Sequence, residues 1–414
     1  LKYFFYHNIN FENFSIWWIT NICNKDNVIR NNWYYQLKDI LFEKKGKKLN
    51  KIKFYLIFLI KLIKNFSISI LYLFLIKIIF FTRFKKINKK NCFYSYHYNF
   101  FENKNLVYDR NFGLTPIKKN INHNYYLVNI TSLSEVIYSF FKYKKKFSKL
   151  KIPFFVLNEF IKLSDIIKIY FFSVSSTIKL INHLKKKNFF LINNKDCSNV
   201  LEPLLISSFS GKVQESLIYA KALNNFFNSN KSKTFINYGE FTPGFRSAYF
   251  FVRKAKYVDK IVTVQHSYSS KNVIYNSNKK KEFSTKINKE GGIFSPSPDY
   301  YLLQGTHFKK ILNKYYPKKN KIIGSLRYDL LNINKKNKDK IKKNKRTILI
   351  CSTIGDEDIL IDYLKKCNLK NVRTILSPHP VIKKKTIEKF NRRFENKINF
   401  EVFDNLSSHE LIHY

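Results

Sequence analysis

Short apolar runs alternate with segments of helical periodicity from about residue 150 onward, and no other feature of the sequence constrains the fold as strongly. Alternation of this kind is typical of a parallel sheet covered by helices on both faces, because each parallel crossover needs a helix-length connection. Strands are predicted over 151–157, 234–237, 260–265, 300–303 and 321–323, and helices over 212–227, 245–256 and 306–316. The sequence therefore predicts the α/β class.

The same pattern recurs after a segment rich in Lys and Asn, 332–345. Strands are predicted over 347–351, 372–376 and 398–403, and helices over 356–367 and 382–394. Because the segment between the two regions has little apolar content, it is interpreted as a linker. We predict two Rossmann-like domains, 1–330 and 346–414, joined by a linker at 331–345. The second holds roughly half the residues that such a domain needs and is predicted to be truncated.

Residues 54–81 are the most apolar stretch of the chain, interrupted by Lys61, Lys64 and Lys77. The longest uncharged run, 65–76, is shorter than the ~20 residues of a spanning helix. Basic residues follow directly, so 54–90 is predicted to be a helical segment that associates with a membrane through apolar contacts and attraction to anionic lipid. A buried core helix and a true span with snorkelling lysines are the alternatives.

The chain carries 76 basic and 28 acidic residues, a net charge of +48, which points to nucleic acid or an anionic membrane as a partner. Lys and Asn are abundant while Gly and Pro are scarce, so the codon bias of an A/T-rich genome explains part of the Lys excess. The basic residues are also spread over loops and linkers instead of one reading helix. Nucleic-acid binding is therefore retained only as an alternative.

Three further features bear on the origin of the chain. It contains no Met and begins with Leu1, which predicts a fragment. Its five Cys include no CxxC pair, which favours a reducing compartment and free, mostly buried thiols. No basic segment followed by an apolar run and a cleavage site opens the sequence, so no signal peptide is predicted.

Ligands of open parallel sheets bind at the carboxyl ends of the strands, so polar residues that directly follow predicted strands are the candidate site residues. They are Glu240, Gln265, His266, Gln304, Arg327, Ser352, Thr353 and His379. His266 is a candidate base for an acceptor hydroxyl, and the flanking prolines hold His379 where it can donate to a phosphate oxygen. For both, a loop histidine with a structural role is the alternative.

His409, Glu410 and His413 fit the HExxH pattern, in which two histidines on one helix face bind zinc. No upstream segment resembles a protease sheet with a substrate-binding edge strand, so a zinc metalloprotease is only an alternative. The start of a helix is the other interpretation of this segment. No Walker A motif and no GxGxxG motif is present, which removes support for P-loop kinases and standard dinucleotide enzymes.

Several segments, in this order, resemble those of bacterial surface-carbohydrate biosynthesis proteins of the GT-B glycosyltransferase type, akin to capsule and O-antigen enzymes. The segments are Ser15-Ile16-Trp17-Trp18 with Lys38-Asp39, Ser210-Gly211, Tyr238-Gly239-Glu240, Gln265-His266-Ser267, Pro298-Asp299-Tyr300 through Gly305 to Gly324-Ser325-Leu326-Arg327-Tyr328, and Pro378-His379-Pro380. The resemblance covers most of the chain except roughly 54–100 and the loops.

The resemblance implies a GT-B-like fold, in which two Rossmann-like domains with parallel sheets face each other across a cleft. His266 would be the catalytic base, with Glu240 orienting it or sharing its role, and Gln265 and Ser267 would lie on the acceptor side. The donor-binding residues would be Arg327, Ser352, Thr353 and His379. No metal and no cofactor is implied, since backbone N–H groups, His and Arg would neutralise the leaving phosphate of a nucleotide-sugar substrate.

The implied activity is transfer of a sugar from a nucleotide-sugar to a lipid-linked or surface-polysaccharide acceptor. The protein would be cytoplasmic and peripheral or monotopic at the anionic inner leaflet of the inner membrane, without a nucleic-acid partner. A non-catalytic, membrane-associated scaffold of a polysaccharide assembly system is the alternative. The 414-residue chain itself is expected to be inactive, because the sheet of its partial second domain would keep an unpaired edge.

Overall fold

A computed structural model describes much of the chain, with gaps. The described residues are 1–23, 40–41, 51–79, 90–103, 106–118, 121–130, 149–186, 189–239, 243–255, 257–265, 283–284, 295–315, 320–326, 347–351, 357–367, 372–377, 383–394 and 400–402. The chain divides into two compact units, Leu1–Arg327 and Tyr328–Tyr414. The predicted linker at 331–345 lies outside the described residues.

The first unit is built on a seven-stranded sheet with long helices. The strands are β1 (Asn91–Tyr96), β2 (Asn124–Asn129), β3 (Phe154–Val156), β4 (Thr234–Asn237), β5 (Lys260–Val264), β6 (Tyr300–Leu303) and β7 (Asn320–Ile322). The longer helices are α1 (Lys51–Ile79), α2 (Leu163–Leu184), α3 (Ser198–Ser207), α4 (Lys212–Ser229), α5 (Pro243–Lys254) and α6 (Thr306–Tyr315).

Shorter elements complete this unit. They are helices Lys2–Asn8 and Thr115–Lys118, 3-10 turns Ile16–Ile19, His97–Asn99, Ile121–His123, Leu157–Phe160 and Ser208–Ser210, and strand pairs Asn10–Phe11 with Phe14–Ser15, Phe100–Asn103 with Leu106–Asp109, Leu191–Ile192 with Lys195–Asp196, and Phe283–Ser284 with Ser295–Pro296. The pair that joins Phe100–Asn103 to Leu106–Asp109 directly follows β1 and helps to shape the carboxyl end of the sheet.

The strand order of the main sheet is β7-β6-β5-β4-β1-β2-β3, and every neighbouring pair is parallel. The chain moves outward from β1 to β3, then returns to the other side of β1 and moves outward again from β4 to β7. This is the doubly wound order of the Rossmann fold, and it reverses between β1 and β4. The prediction of an α/β protein with a parallel sheet is confirmed.

The sequence interpretation missed two of the seven strands of this sheet. β1 and β2 lie before residue 150, where no strand was predicted, and α2 was missed as well. β1 is the run Asn91–Tyr96, which contains no β-branched residue and no alternation of polar and apolar residues. Alternation is absent because the strand is buried on both faces, and aromatic residues supply its strand propensity.

Alternate side chains of the central strands pack into two cores, one on each face of the sheet. Cys92 and Tyr94 of β1 join the larger core, together with residues of the long helices. Phe93 points the other way and packs with Phe112, the two ring centroids lying 5.2 Å apart. Burial on both faces is the arrangement expected for a parallel sheet in an α/β protein. Cys23, Cys92 and Cys197 are free and buried, as predicted.

The Pro298-Asp299-Tyr300 segment fixes the start of β6 through the hydrogen bonds of Asp299. Arg253 of α5 donates from Nη2 to Asp299 Oδ1 at 3.1 Å and from Nη1 to Asp299 Oδ2 at 3.3 Å. Asp299 Oδ2 also accepts the backbone N–H of Ile261 at 2.8 Å. One carboxylate thus joins α5, β5 and β6 at the amino ends of the strands, opposite the edge where ligands of such sheets bind.

The second unit repeats the strand–helix alternation on a smaller scale. It contains β8 (Thr347–Cys351), α7 (Glu357–Lys365), β9 (Arg373–Ser377), α8 (Lys383–Phe394) and β10 (Phe400–Glu401). The strands form a three-stranded parallel sheet in the order β8-β9-β10. Ile350, Leu376 and Phe390 lie in its core.

The apolar helix predicted near the N-terminus is present as α1. Among the described residues, α1 is the one helix whose length and apolar composition would allow it to cross a membrane. Only 17% of its most apolar window is buried. Most of its apolar surface is therefore exposed, unlike that of a core helix of a soluble protein.

Candidate functional site

The strand order itself marks the place where a ligand is expected. β1 and β4 are parallel neighbours, and the chain leaves their carboxyl ends toward opposite sides of the sheet. In open α/β sheets, ligands bind in the crevice outside the carboxyl ends at this point of reversal. The residues concerned are Tyr96 through Asn99 after β1, and Asn237 through Gly239 at the end of β4.

Tyr238 binds the two strand ends together. Its Oη accepts the backbone N–H of Tyr96 at 3.1 Å and a hydrogen bond from Asn99 Nδ2. Burial raises its pKa well above the ordinary value, and the negative charge of Asp109 adds to the effect. Tyr238 is therefore a neutral phenol at physiological pH. Its hydroxyl positions the strand ends instead of serving as a base.

Asp109 is a buried carboxylate beside β1. Its Oδ1 accepts the backbone N–H groups of Asn111 at 2.7 Å and Phe112 at 2.9 Å. Its Oδ2 accepts the hydroxyl proton of Ser95 in β1. The carboxylate closes the turn after Leu106–Asp109 and joins that turn to the central strand, so its charge is compensated by hydrogen-bond donors.

Tyr96 and Tyr98 form a stacked aromatic pair after β1. Their ring centroids are 5.3 Å apart and the ring planes differ by 3°. Tyr98 is 50% exposed, whereas Tyr96 is partly covered. A supported aromatic ring that is open to solvent offers a surface on which a base or the apolar face of a sugar can stack.

Asn237 sets the direction in which the chain leaves β4. Its Oδ1 accepts hydrogen bonds from Tyr249 Oη at 3.1 Å, from Thr263 Oγ1 at 3.0 Å and from the backbone N–H of Gly239 at 3.1 Å. Its amide donates to the carbonyl of Val262 at 3.2 Å. This buried network links β4, β5 and α5, and it holds the turn that leads to Glu240.

Gly239 is required by close packing against α5. A Cβ at this position would lie well inside the van der Waals radius of the Phe245 ring. That ring is buried between Tyr94 and Tyr219, with centroid distances of 5.5 Å and 5.8 Å, and cannot move without disturbing them. Even one methyl group at residue 239 is therefore excluded.

We expect Gly239→Ala to lower the free energy of unfolding by about 1–3 kcal/mol, because the buried ring must be displaced. The control is Gly244→Ala in α5, where a Cβ would meet no atom within 4 Å. It is expected to stabilise the fold by about 0.4–1 kcal/mol, because alanine has less conformational freedom to lose. Urea unfolding midpoints measure both, and equal midpoints for the two variants would contradict the packing argument.

Gln265, predicted on the acceptor side, lies buried just after β5. Its Oε1 accepts the backbone N–H of Gln304 at 3.1 Å, and Gln304 Nε2 donates to the carbonyl of Gln265 at 3.1 Å. The two glutamines thereby fix the carboxyl ends of β5 and β6 against each other. The side chain of Gln265 holds the chain in place immediately before His266, and its predicted contact with an acceptor stays a prediction.

The other predicted site residues lie outside the described residues. They are Glu240, His266, Ser267, Arg327, Ser352, Thr353 and His379. In the first unit, the described residues before Glu240 and His266 are Gly239 and Gln265, which follow the adjacent strands β4 and β5. In the second unit, Cys351 and Ser377 are register partners at the ends of β8 and β9, and they precede Ser352 and Pro378-His379.

α4 leads back to the amino end of β4 as part of a parallel crossover, so its first turn lies toward the carboxyl edge of the main sheet. The Glu215 charge adds to burial in raising the pKa of Tyr96 after β1 and of Tyr170 in α2. Glu215 itself remains solvent-accessible, and partial desolvation raises its pKa against the opposing effect of Lys212. The helix predicted to open after Ser210-Gly211 is confirmed as α4.

No group of three or more His, Cys, Asp and Glu side chains is placed to hold a metal ion within the part of the chain that the structure describes. The predicted HExxH segment, His409 to His413, lies outside that part. The zinc alternative therefore stays a prediction.

Sequence reasoning missed Tyr96, Tyr98, Asn99 and Asp109 because it did not recognise β1. The dense aromatic run from Phe93 to Tyr98 was the available signal, since aromatic residues favour strands. Tyr238 was noted as part of a motif, but its hydroxyl bonds to β1 depend on a partner far away in the sequence.

No model of a protein family matches the chain, and no curated protein does so.

Proposed function

We propose that the protein is a metal-independent glycosyltransferase, of the GT-B type that its motifs resemble, which moves a sugar from a nucleotide-sugar to a membrane-linked glycan acceptor. The observation that carries this proposal is the doubly wound strand order of the first unit. It brings the carboxyl ends of β1, β4 and β5 together at the edge where nucleotide-like ligands bind in such folds. The exposed Tyr98 ring at that edge supports it, because it can stack on a sugar or a base.

The proposed chemistry assigns acceptor activation to the first unit. His266 would take the proton of an acceptor hydroxyl, with Glu240 orienting the imidazole. The acceptor oxygen forms a bond to the anomeric carbon of the donor, while the bond from that carbon to the phosphate oxygen breaks. The leaving phosphate keeps the electron pair. Its negative charge would be neutralised by Arg327, Ser352, Thr353 and His379.

Donor titration tests this proposal directly. The full chain is heated with CDP-, CMP-, UDP- or GDP-sugars, and one of these classes is expected to raise the thermal midpoint. A ligand that binds only the folded state at about one hundred times its Kd adds about 2.7 kcal/mol of stability. The matched control is the corresponding free sugar without its nucleotide, which should leave the midpoint unchanged. No shift with any nucleotide-sugar would contradict the proposal.

A non-catalytic, membrane-associated scaffold is the second candidate. One observation favours it. The polar side chains of Asn237, Tyr238 and Asp109 at the sheet edge form hydrogen bonds with other parts of the protein. Such a scaffold would keep the fold and bind no donor. The same titration separates the two candidates, because only the transferase predicts a shift.

A further inference from the structure

Helix α2 exposes large apolar side chains, although its buried face already holds the core residues Ile166, Ile169, Tyr170 and Leu180. The exposed apolar residues are Leu163, Ile167, Phe171, Val174 and Ile178. On the opposite face, Ser173, Ser176 and Thr177 are buried. A helix that packs on a core and faces water carries mainly polar and charged residues on its outer face. The outer face of α2 therefore matches an apolar environment.

Two of the buried hydroxyls of α2 are satisfied within the helix. Ser173 Oγ donates to the carbonyl of Ile169 at 2.9 Å, and Thr177 Oγ1 donates to the carbonyl of Ser173 at 2.8 Å. Because these two groups need no external partner, they can be buried beside the apolar residues of the inner face. The orientation of α2 is thus a stable feature of the fold, and its apolar stripe remains outward.

Helix α1 also exposes a large apolar face. Its exposed residues are Ile52, Leu56, Ile57, Leu59, Ile60, Ile63, Ile68, Leu71, Phe74 and Ile78. A contiguous apolar surface larger than a few hundred Å² is rare on a soluble monomer and marks an interaction site.

α1 is attached to the first unit along its whole length. Near its start, Lys51 Nζ lies 3.9 Å from Glu202 Oε2. At its middle, Asn65 Nδ2 donates to the carbonyl of Ser210. Toward its end, Tyr72 Oη donates to the carbonyl of Ile130. A helix held in this way at its start, its middle and its second half would lie along a membrane surface and not cross it, because crossing would draw those polar partners into the hydrocarbon.

The apolar faces of α1 and α2 are continuous. Phe66 of α1 and Tyr170 of α2 have ring centroids 5.0 Å apart, and Ser69 Oγ lies 3.1 Å from Tyr170 Oη. At about 100° per residue, Tyr170 borders one side of the apolar stripe of α2, and Lys168 and Lys179 border the other. One side of the apolar stripe of α2 therefore adjoins α1, and its other side is bordered by Lys168 and Lys179.

Lysines stand among the apolar side chains of the combined surface. On α1, Lys53, Lys61 and Lys64 fall within about 80° of one another, in one half of the exposed face. α1 contains no Asp or Glu, and the acid of α2, Asp165, is buried and accepts a hydrogen bond from Asn225 Nδ2 at 2.8 Å. Lysines beside exposed aliphatic side chains are the composition of a helix that lies in an anionic interface.

We propose that the exposed faces of α1 and α2 form one surface that docks on an anionic lipid bilayer, with both helices lying along it. Charge argues for lipid over a second copy of the chain. Paired copies would bring their lysine rows together, and each copy carries a net charge of +48. Anionic lipid headgroups neutralise these lysines while the acyl region covers the apolar side chains.

The surface adjoins the candidate site, and in this respect the inference rests on the proposed function. Ser210, whose carbonyl accepts the hydrogen bond from Asn65, immediately precedes Gly211 and α4. The first turn of α4 lies at the carboxyl edge of the main sheet. A bilayer held by α1 and α2 would therefore present a lipid-linked acceptor beside that edge.

Vesicle flotation of the full chain tests the docking surface without any donor. Binding to vesicles that contain phosphatidylglycerol is expected to exceed binding to pure phosphatidylcholine vesicles by more than about tenfold. Phe171→Asp combined with Ile178→Asp replaces side chains that are 73% and 55% exposed, and it should lower binding by more than about tenfold. Lys168→Gln with Lys179→Gln should lower binding to the anionic vesicles only.

The matched control is Ile359→Asp combined with Tyr363→Asp on α7 of the second unit. Those side chains are 72% and 67% exposed, so the control makes a similar change in charge and apolar area on a helix that is not part of the proposed surface. It should bind vesicles like the unmodified chain. Thermal midpoints check that every variant is folded.

Two results would overturn the proposal. One is absence of flotation of the unmodified chain, or flotation of the Phe171 variant at the unmodified level. The other is a dimer, seen by light scattering, that depends on Phe171 while vesicles do not bind, since that would assign the surface to a second copy. Because no nucleotide-sugar is present, failure here is separate from failure of the donor titration.

Discussion

Asp109→Ala is expected to lower the free energy of unfolding of the first unit by about 3–5 kcal/mol. The substitution removes the acceptor of two backbone N–H groups and of the Ser95 hydroxyl, all of them in a buried environment. Each buried donor left without a partner costs about 1–3 kcal/mol. The urea midpoint should fall by the corresponding amount, with an unchanged slope if unfolding remains two-state.

Asp109→Asn is the matched control for this prediction. Its Oδ1 can still accept the N–H groups of Asn111 and Phe112, so the turn is kept and only the charge and the Ser95 contact are altered. A clearly smaller loss of stability is expected. If the Ala and Asn variants unfolded at the same denaturant concentration as the unmodified chain, the carboxylate would not be the tie between β1 and the turn.

His266→Ala, made in a chain that contains a complete second domain, is expected to lower sugar transfer by about 10²–10⁴-fold, the usual contribution of a positioned general base. This prediction rests on the proposed function. The structure bears on it through Gln265, whose reciprocal hydrogen bonds with Gln304 hold the preceding residue at the carboxyl end of β5. The measurement is transfer of label from the donor class identified by titration, in the presence of anionic vesicles that carry the acceptor.

His123→Ala is the control for His266→Ala. His123 is an exposed histidine directly before β2, at the amino edge of the main sheet, so its removal makes the same chemical change at the edge opposite the carboxyl ends of the strands. Transfer should be unchanged in this variant, and both variants should keep the thermal midpoint and the vesicle binding of the unmodified chain. Normal transfer by the His266 variant would remove this residue from the mechanism.

The elements after residue 150 could be predicted closely because their patterns are local. Strands 234–237, 300–303 and 347–351 have the predicted bounds, and helices α4, α5 and α6 differ by a few residues at their ends. Gly, Pro and Thr mark the ends of these segments, and apolar residues recur at the helical period within the helices. In contrast, β1 and β2 carry aromatic and polar residues without alternation, so their place in the sheet could not be seen from the pattern.

The candidate site divides in the same way. The positions that follow strands β4, β5, β8 and β9 could be named from the sequence, since a strand end is a local property. The roles of Tyr238, Asn237 and Asp109 could not, because each binds a group on another element. The Pro298-Asp299-Tyr300 segment shows the difference most clearly, since its carboxylate serves Arg253 and Ile261 at the edge of the sheet opposite the site.

The sequence by itself determined the α/β class, the parallel strands, the two regions of strand–helix alternation and the apolar helix near the N-terminus. Each follows from periodicity and propensity, which act between residues close together in the chain. Only the tertiary structure decided the strand order, the reversal between β1 and β4, and the outward face of α2. These depend on which surfaces are buried when distant segments pack, and the free energy of that burial cannot be computed from neighbouring residues alone.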